Sequence, residues 1–172
     1  MVTLVNYDAH VHADALQALW TAHYEAGAGP LKDAVGFEED IPAEVARDVA
    51  HADRFRAPDG RLLLAVDGDE VLGCGAMRLL EPGVAEIKRM FLYPEARGKG
   101  IGRALLDELL ATARRMGCHE ARLDTGWYMT DAHRLYQAAG FEVCAPYPGS
   151  EVPPELTGRW TYMRLELTPV SS

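Results

Sequence analysis

EIKRMFLYPEARGKGIGRALL, residues Glu86 to Leu106, decides how the 172-residue chain is read. The apolar-rich run Ala85–Tyr93 predicts a strand, and Pro94 ends it. Arg97-Gly98-Lys99-Gly100-Ile101-Gly102 follows as a turn of small and basic residues. Ile101, Ala104, Leu105, Leu109, Ala113 and Met116 then recur at three- and four-residue steps, with Gly117 at the C-cap, which is the pattern of an amphipathic helix. The first N–H groups of such a helix have no partner within it, and the helix dipole adds partial positive charge, so the turn exposes an anion site. Gly98, Gly100 and Gly102 let the backbone approach a phosphate closely, while Arg97, Lys99 and Arg103 add charge. A pyrophosphate is the natural guest. A P-loop fails, because Lys99 precedes Gly100 with no Ser or Thr after it. A dinucleotide-binding unit is opposed by the antiparallel strands that come before.

Outward from this element, Arg61–Val66 and Val71–Leu80 flank Asp67-Gly68-Asp69-Glu70, where Asp-Gly signals a hairpin. Ala121–Thr125 predicts a strand, Thr130–Ala139 a helix stopped by Gly140, and Phe141–Cys144 and Arg159–Leu167 the closing strands. Toward the N-terminus, Thr3–Asn6 reads as a short strand and Ala15–Ala26 as a helix broken at Gly27–Pro30. A second helix over Pro42–Asp53 has Asp40 as its cap. The expected fold is α/β, a mixed, mostly antiparallel central sheet of six or seven strands with helices on both faces. Residues 1–172 read as one domain, with 1–60 supplying helices on the substrate side and 61–167 the cofactor-binding core.

Composition bounds the function. The hydrophobic content of 48% fits one full core, and 17 Lys+Arg against 26 Asp+Glu gives a net charge of −9, which opposes general nucleic-acid binding. No apolar run reaches the roughly 20 residues of a membrane-spanning helix, and the first ten residues lack a signal-peptide pattern. Three cysteines, Cys74, Cys118 and Cys144, stand at no metal-ligand spacing and suit a reducing compartment. The expectation is a cytoplasmic protein without a membrane or nucleic-acid partner. Asp8-Ala9-His10-Val11-His12 resembles the metal site of amidohydrolases if read as a strand, but the chain is too short for the barrel that supplies their other ligands, and no metal is expected.

Arg97-x-x-Gly100-x-Gly102 resembles the Arg/Gln-x-x-Gly-x-Gly/Ala signature of the GNAT acetyltransferases. Strand Glu86–Leu92 with Tyr93-Pro94-Glu95, then Leu123-Asp124-Thr125, and Leu135-Tyr136-x-x-x-Gly140-Phe141 stand in that superfamily's order, so the likeness covers about Arg61 to Leu167. It implies an acetyl-CoA-dependent enzyme acetylating an amine, with a sheet splayed between its fourth and fifth strands near Met90. The backbone of Met90, Phe91 and Leu92 would pair with the pantetheine arm. Arg97, Gly98, Lys99, Gly100, Ile101, Gly102 and Arg103 would hold the pyrophosphate. Family habit also implies a homodimer.

Acetyl transfer needs a base for the ammonium proton and a proton donor for the departing thiolate. By the resemblance, Glu86 is a candidate base, and an ion pair with Arg78 or Lys88 is its plain structural alternative. Asp124 is a second candidate base, with a capping role as its alternative. Tyr136 is the candidate acid near the thioester sulfur, set against a core tyrosine. Many members carry Asn seven residues before that tyrosine, and here it is Met129. For the acceptor, a small-molecule or peptide amine, the expected pocket wall comprises Trp20, Tyr24, Glu25, Phe37, Glu38, Glu39, Trp127 and Tyr147, which favours a cationic amine. Direct transfer in a ternary complex is expected, since no cysteine has a nucleophile's setting. A non-catalytic CoA-binding module is the alternative class.

Overall fold

A computed structural model describes residues 1–168 and 170. Seven strands form one sheet in the order β1-β2-β3-β4-β5-β7-β6: β1 Val2–Asn6, β2 Gly60–Asp67, β3 Glu70–Glu81, β4 Val84–Leu92, β5 Glu120–Gly126, β6 Glu142–Cys144 and β7 Trp160–Glu166. Every pairing is antiparallel except β4 with β5. The helices are α1 Ala9–Val35, α2 Ile41–Ala50, α3 Ile101–Arg115 and α4 Thr130–Ala138. This is the mixed α/β sheet expected from the sequence.

Strand β2 explains the layering. Its run Leu62-Leu63-Leu64-Ala65 is apolar throughout because both faces are covered. Leu62 and Leu64 join Leu16, Leu19 and Trp20 of α1, Val45 of α2 and Phe55 in one core. Leu63 and Ala65 join Leu105, Leu106 and Leu109 of α3 and Tyr136 of α4 in the other. Alternation along one strand thus assigns α1 and α2 to one face and α3 and α4 to the opposite one.

Two features of the N-terminal part differ from expectation. Helix α1 runs straight through Gly27–Pro30 and ends only at Gly36, whose φ of 67° is the left-handed C-cap, its N–H donating to Leu31 O and Lys32 O. Gly27 is there for proximity: a Cβ on it would lie 2.5 Å from the Tyr128 hydroxyl. His10 and His12 lie on that helix, not on a strand. Asp8 caps it, its Oδ1 accepting from His10 N at 2.8 Å while Asp8 N donates to His12 Nδ1 at 3.0 Å. The Asp-x-His-x-His run is therefore a helix start, and among the described residues no three His, Cys, Asp or Glu gather as a metal site. No described helix is long and apolar enough to cross a membrane. Helix α2 starts at Asp40, whose Oδ1 accepts from Ala43 N, and it stops at Ala50, giving way to a 3-10 turn at Ala52–Phe55.

The seam between β4 and β5 positions the site. Their ladder holds only Val84↔Glu120, Ala85↔Ala121 and Glu86↔Arg122, although β4 continues to Leu92 and β5 to Gly126. On its other side β4 bulges: Cys74 faces Phe91 and Ala76 faces Lys88, so two steps of β3 meet three of β4. Arg89 takes φ 54° at the bulge, rare for a side-chain-bearing residue, and bends the strand away from β5. Gly75 leaves room opposite, since a Cβ there would lie 2.6 Å from Met90 Sδ.

Candidate active site

Beyond the last paired residues the splayed strands open a cleft of about 600 Å³, walled by Met90, Phe91 and Leu92 of β4, the turn before α3, and α4. Gly98 and Gly100 have φ of 72° and 79°, and a Cβ at either would meet nothing within 4 Å, so backbone conformation rather than crowding requires glycine. No side chain caps α3, which leaves its first N–H groups facing the cleft mouth. Arg97 is held by Nε donating to Leu92 O at 3.1 Å and lies over the Phe91 ring. Gly102 and Ile101 line the same cleft, as does Arg103, which pairs with Asp107 at 2.8 Å, whereas Lys99 is exposed at the turn tip. Uncapped helix amides, a small-residue cradle and an unpaired strand edge fit a diphosphate on an extended, amide-bearing arm.

A second cavity, about 560 Å³, lies between α1, α2, the bulge of β4, the end of β5 and the loop between β6 and β7. His23, Met90, Tyr128, Met129 and Tyr136 line both cavities and mark where they meet. Tyr136 is buried edge-on to Phe141, and burial followed by the Asp124 charge pushes its phenol upward, so it stays protonated. His23 is pulled down to about 4 by burial and by the Arg89 charge, so its ring is neutral near pH 7. Asp124 is on the second cavity's wall, Oδ1 accepting from Trp160 Nε1 at 2.9 Å and Oδ2 from Ser150 Oγ at 3.2 Å.

Residues 16–141, well over half of the chain, match the model of the acetyltransferase (GNAT) family. The chain belongs to the GNAT acetyltransferases. An IAA acetyltransferase of Azospirillum brasilense is 42% identical over 91 residues, which span 52% of this chain and 60% of that relative. An uncharacterized N-acetyltransferase of Schizosaccharomyces pombe is 33% identical over 117 residues, 67% of this chain and 69% of the relative. The PaiA N-acetyltransferase of Thermoplasma acidophilum, solved in complex with coenzyme A, superposes with a TM-score of 0.76 at 17% identity, covering 97% of this chain and 99% of that one.

In this GNAT chain the other candidates fall in different places. Glu86 is fully buried, bound through Oε1 to Arg78 at 3.0 Å and Lys88 at 3.4 Å, and is absent from both cavity walls. Trp20 lies in the core beneath α1, and Tyr147 is buried against Tyr162. Glu25 lines a separate groove with Gln17 and Thr21, between α1 and the start of α2. Trp127 meets Tyr128 and Trp160 edge-to-face and lines neither cavity, whereas its neighbour Tyr128 lines both. Tyr24, Phe37, Glu38 and Glu39 line the second cavity, Glu38 in a 2.7 Å pair with Lys32. Burial, then Glu44, raises the Glu39 pKa. Sequence reasoning missed a cluster of charges on that cavity's wall, Asp48, Arg54, Lys88, Arg89 and Glu151. They come from four separate segments, and no local motif joins them.

Proposed function

We propose that this GNAT acetyltransferase moves an acetyl group from acetyl-CoA to a primary amine on a small molecule or peptide, directly, in a ternary complex. The observation that carries this reading is the meeting of two cavities at Tyr136, Met90 and Tyr128, one shaped for the cofactor arm and the other open to an acceptor. Acetyl-CoA supplies the activated acyl group as a thioester. Gly98, Gly100 and the first amides of α3 hold its diphosphate, Arg97 and Arg103 add charge, and the edge of β4 from Met90 to Leu92 orients its arm.

Asp124 is favoured as the group that accepts the ammonium proton, because its carboxylate lines the acceptor cavity while Glu86 is sealed behind Lys88. Glu86 then fixes Lys88 and Arg78. Tyr136, protonated at neutral pH, donates to the departing thiolate. Cys74 borders the cofactor cleft, but burial pushes its thiol up to about 12, which makes it a poor nucleophile and supports direct transfer. An amine-library screen reading free CoA release tests the activity, and the intersecting-line kinetics expected of a ternary complex test the route. Ping-pong kinetics, or a trapped acetyl-cysteine, would overturn direct transfer.

A further inference from the structure

The acceptor-side cavity carries a dense cluster of charges around Glu151. Lys88 Nζ lies 2.9 Å from Glu151 Oε2, Arg89 Nη2 lies 3.7 Å from the same oxygen, and Arg54 Nη1 pairs with Glu151 Oε1. Arg78 Nη1 approaches that oxygen at 3.9 Å. The remaining anions are already shared. Asp48 accepts from Arg89 at 2.7 and 2.9 Å and from the Tyr24 hydroxyl at 2.8 Å, and Glu86 binds Arg78 and Lys88.

Four cations thus face three carboxylates, and one of those three does not belong to the sheet or helices. Glu151 sits in the irregular loop after β6, at 37% side-chain exposure the most accessible member of the group. Arg54 Nη2 stands 3.5 Å from Asp48 Oδ1, yet Nε and Nη2 are buried without a hydrogen-bond partner among the described residues, so the guanidinium is only partly satisfied. Without Glu151, the wall residues Arg54, Lys88 and Arg89 would be left with Asp48 beside them and Glu86 behind Lys88. That is a local excess of cations, able to recognise an anion, on a wall that is otherwise acidic at Glu38, Glu39, Asp40, Glu44 and Asp124.

We propose that Arg54, Lys88 and Arg89 form a carboxylate subsite for the acceptor, and that Glu151 occupies it in the free enzyme. The acceptor is then an amine that also bears a carboxylate, an amino-acid-like zwitterion, rather than a purely cationic amine. Its carboxylate displaces Glu151, and its amine reaches toward Asp124 and Tyr136 on the same cavity wall. This inference rests on the acetyl-transfer reading and sharpens it.

The test pairs α-amino acids with their carboxamides as acceptors and reads CoA release from acetyl-CoA by the full-length enzyme. The expected result is at least tenfold higher kcat/KM for the acids. Lys88→Met, and separately Arg54→Gln, should bring that ratio toward one with the KM for acetyl-CoA unchanged. Glu151→Gln should lower the KM of the acids severalfold by removing the competing carboxylate. Equal use of acids and amides by the wild-type enzyme, or release only with amines lacking a carboxylate, overturns the subsite and leaves acetyl transfer standing. Release with no amine in either set or in a wider library overturns acetyl transfer and the subsite with it.

Discussion

Tyr136 is one of the residues shared by both cavities, and its chemistry follows from where α4 places it. A phenol at the junction of the two cavities, shifted upward by burial, stays protonated across the physiological range and, on the proposed reading, can donate to the thiolate. Tyr136→Phe keeps the ring contact with Phe141 and removes only the hydroxyl, so kcat should fall on the order of a hundredfold with the KM for acetyl-CoA unchanged. A parallel rise in that KM would mean that the hydroxyl binds rather than donates. The neighbouring His23 sets a pH dependence of stability. Its folded pKa, near 4, lies below the ordinary 6.5 because burial and Arg89 disfavour the imidazolium. The unfolded chain therefore binds the extra proton first. The stability that the neutral ring preserves is whole above about pH 6.5 and is lost as the pH falls toward 4. Denaturant unfolding from pH 7 to 4 should show that slope, and His23→Gln should flatten it. Tyr136 was legible in the sequence from Leu-Tyr-x-x-x-Gly-Phe. The charged wall was not, because Asp48, Lys88 and Glu151 meet only once α2, β4 and a distant loop have packed.

Among the elements, the turn into α3 was the most readable, since positive-φ glycines and an uncapped helix start leave their mark in a few adjacent residues. Helix α1 was the least readable. Gly27 and Pro30 look like a break locally, and only the Tyr128 hydroxyl across the cavity shows why a glycine stands inside a helix. The two glycines should therefore answer to substitution differently. Gly100→Ala meets no neighbour, so its cost is the left-handed backbone alone, about 1–2 kcal/mol, and calorimetry should find CoA bound more weakly as the turn shifts. Gly27→Ala improves helix propensity by about 1 kcal/mol but drives a methyl into a hydroxyl whose ring is wedged against Trp127 and Trp160. Its thermal midpoint should change little, while kcat falls as Tyr128 is displaced from the junction. An unchanged kcat would show that Tyr128 adjusts freely.

At the scale of the whole molecule, two half-sheets, β1 to β4 and β5 with β7 and β6, share a seam of three residue pairs. The ion cluster around Glu151 ties them across that seam, since its loop belongs to the second half and Arg54, Lys88 and Arg89 to the first. Burial alone would raise the Glu151 pKa, but Lys88, Arg54 and Arg89 outweigh it and hold it at about 2, below the ordinary 4.5. Stability from this group is complete above about pH 4.5 and is lost as the pH falls toward 2. Limited proteolysis in that acid range should cut first within 145–158, and Glu151→Gln should expose the same bonds at neutral pH. Resistance of the variant would show that the loop is held by other contacts, such as Arg78 donating to Gly149 O. The half-sheet division was only partly foreseeable: the splay follows from the resemblance, but which residues bridge it depends on long-range packing.

The seam has one further consequence, for self-association. Unpaired strand edges invite pairing with other chains, and proteins usually confine them to the rim of a sheet. Here two such edges lie in the middle of the sheet, yet the bulge at Arg89 puts a left-handed kink into β4 where a foreign strand would have to run in register. An extended arm with few amide groups can follow that bent edge for a short distance, whereas a full β-strand from another molecule cannot zip along it. The same kink that opens the cleft to a small guest makes its edge a poor template for a strand of a second molecule.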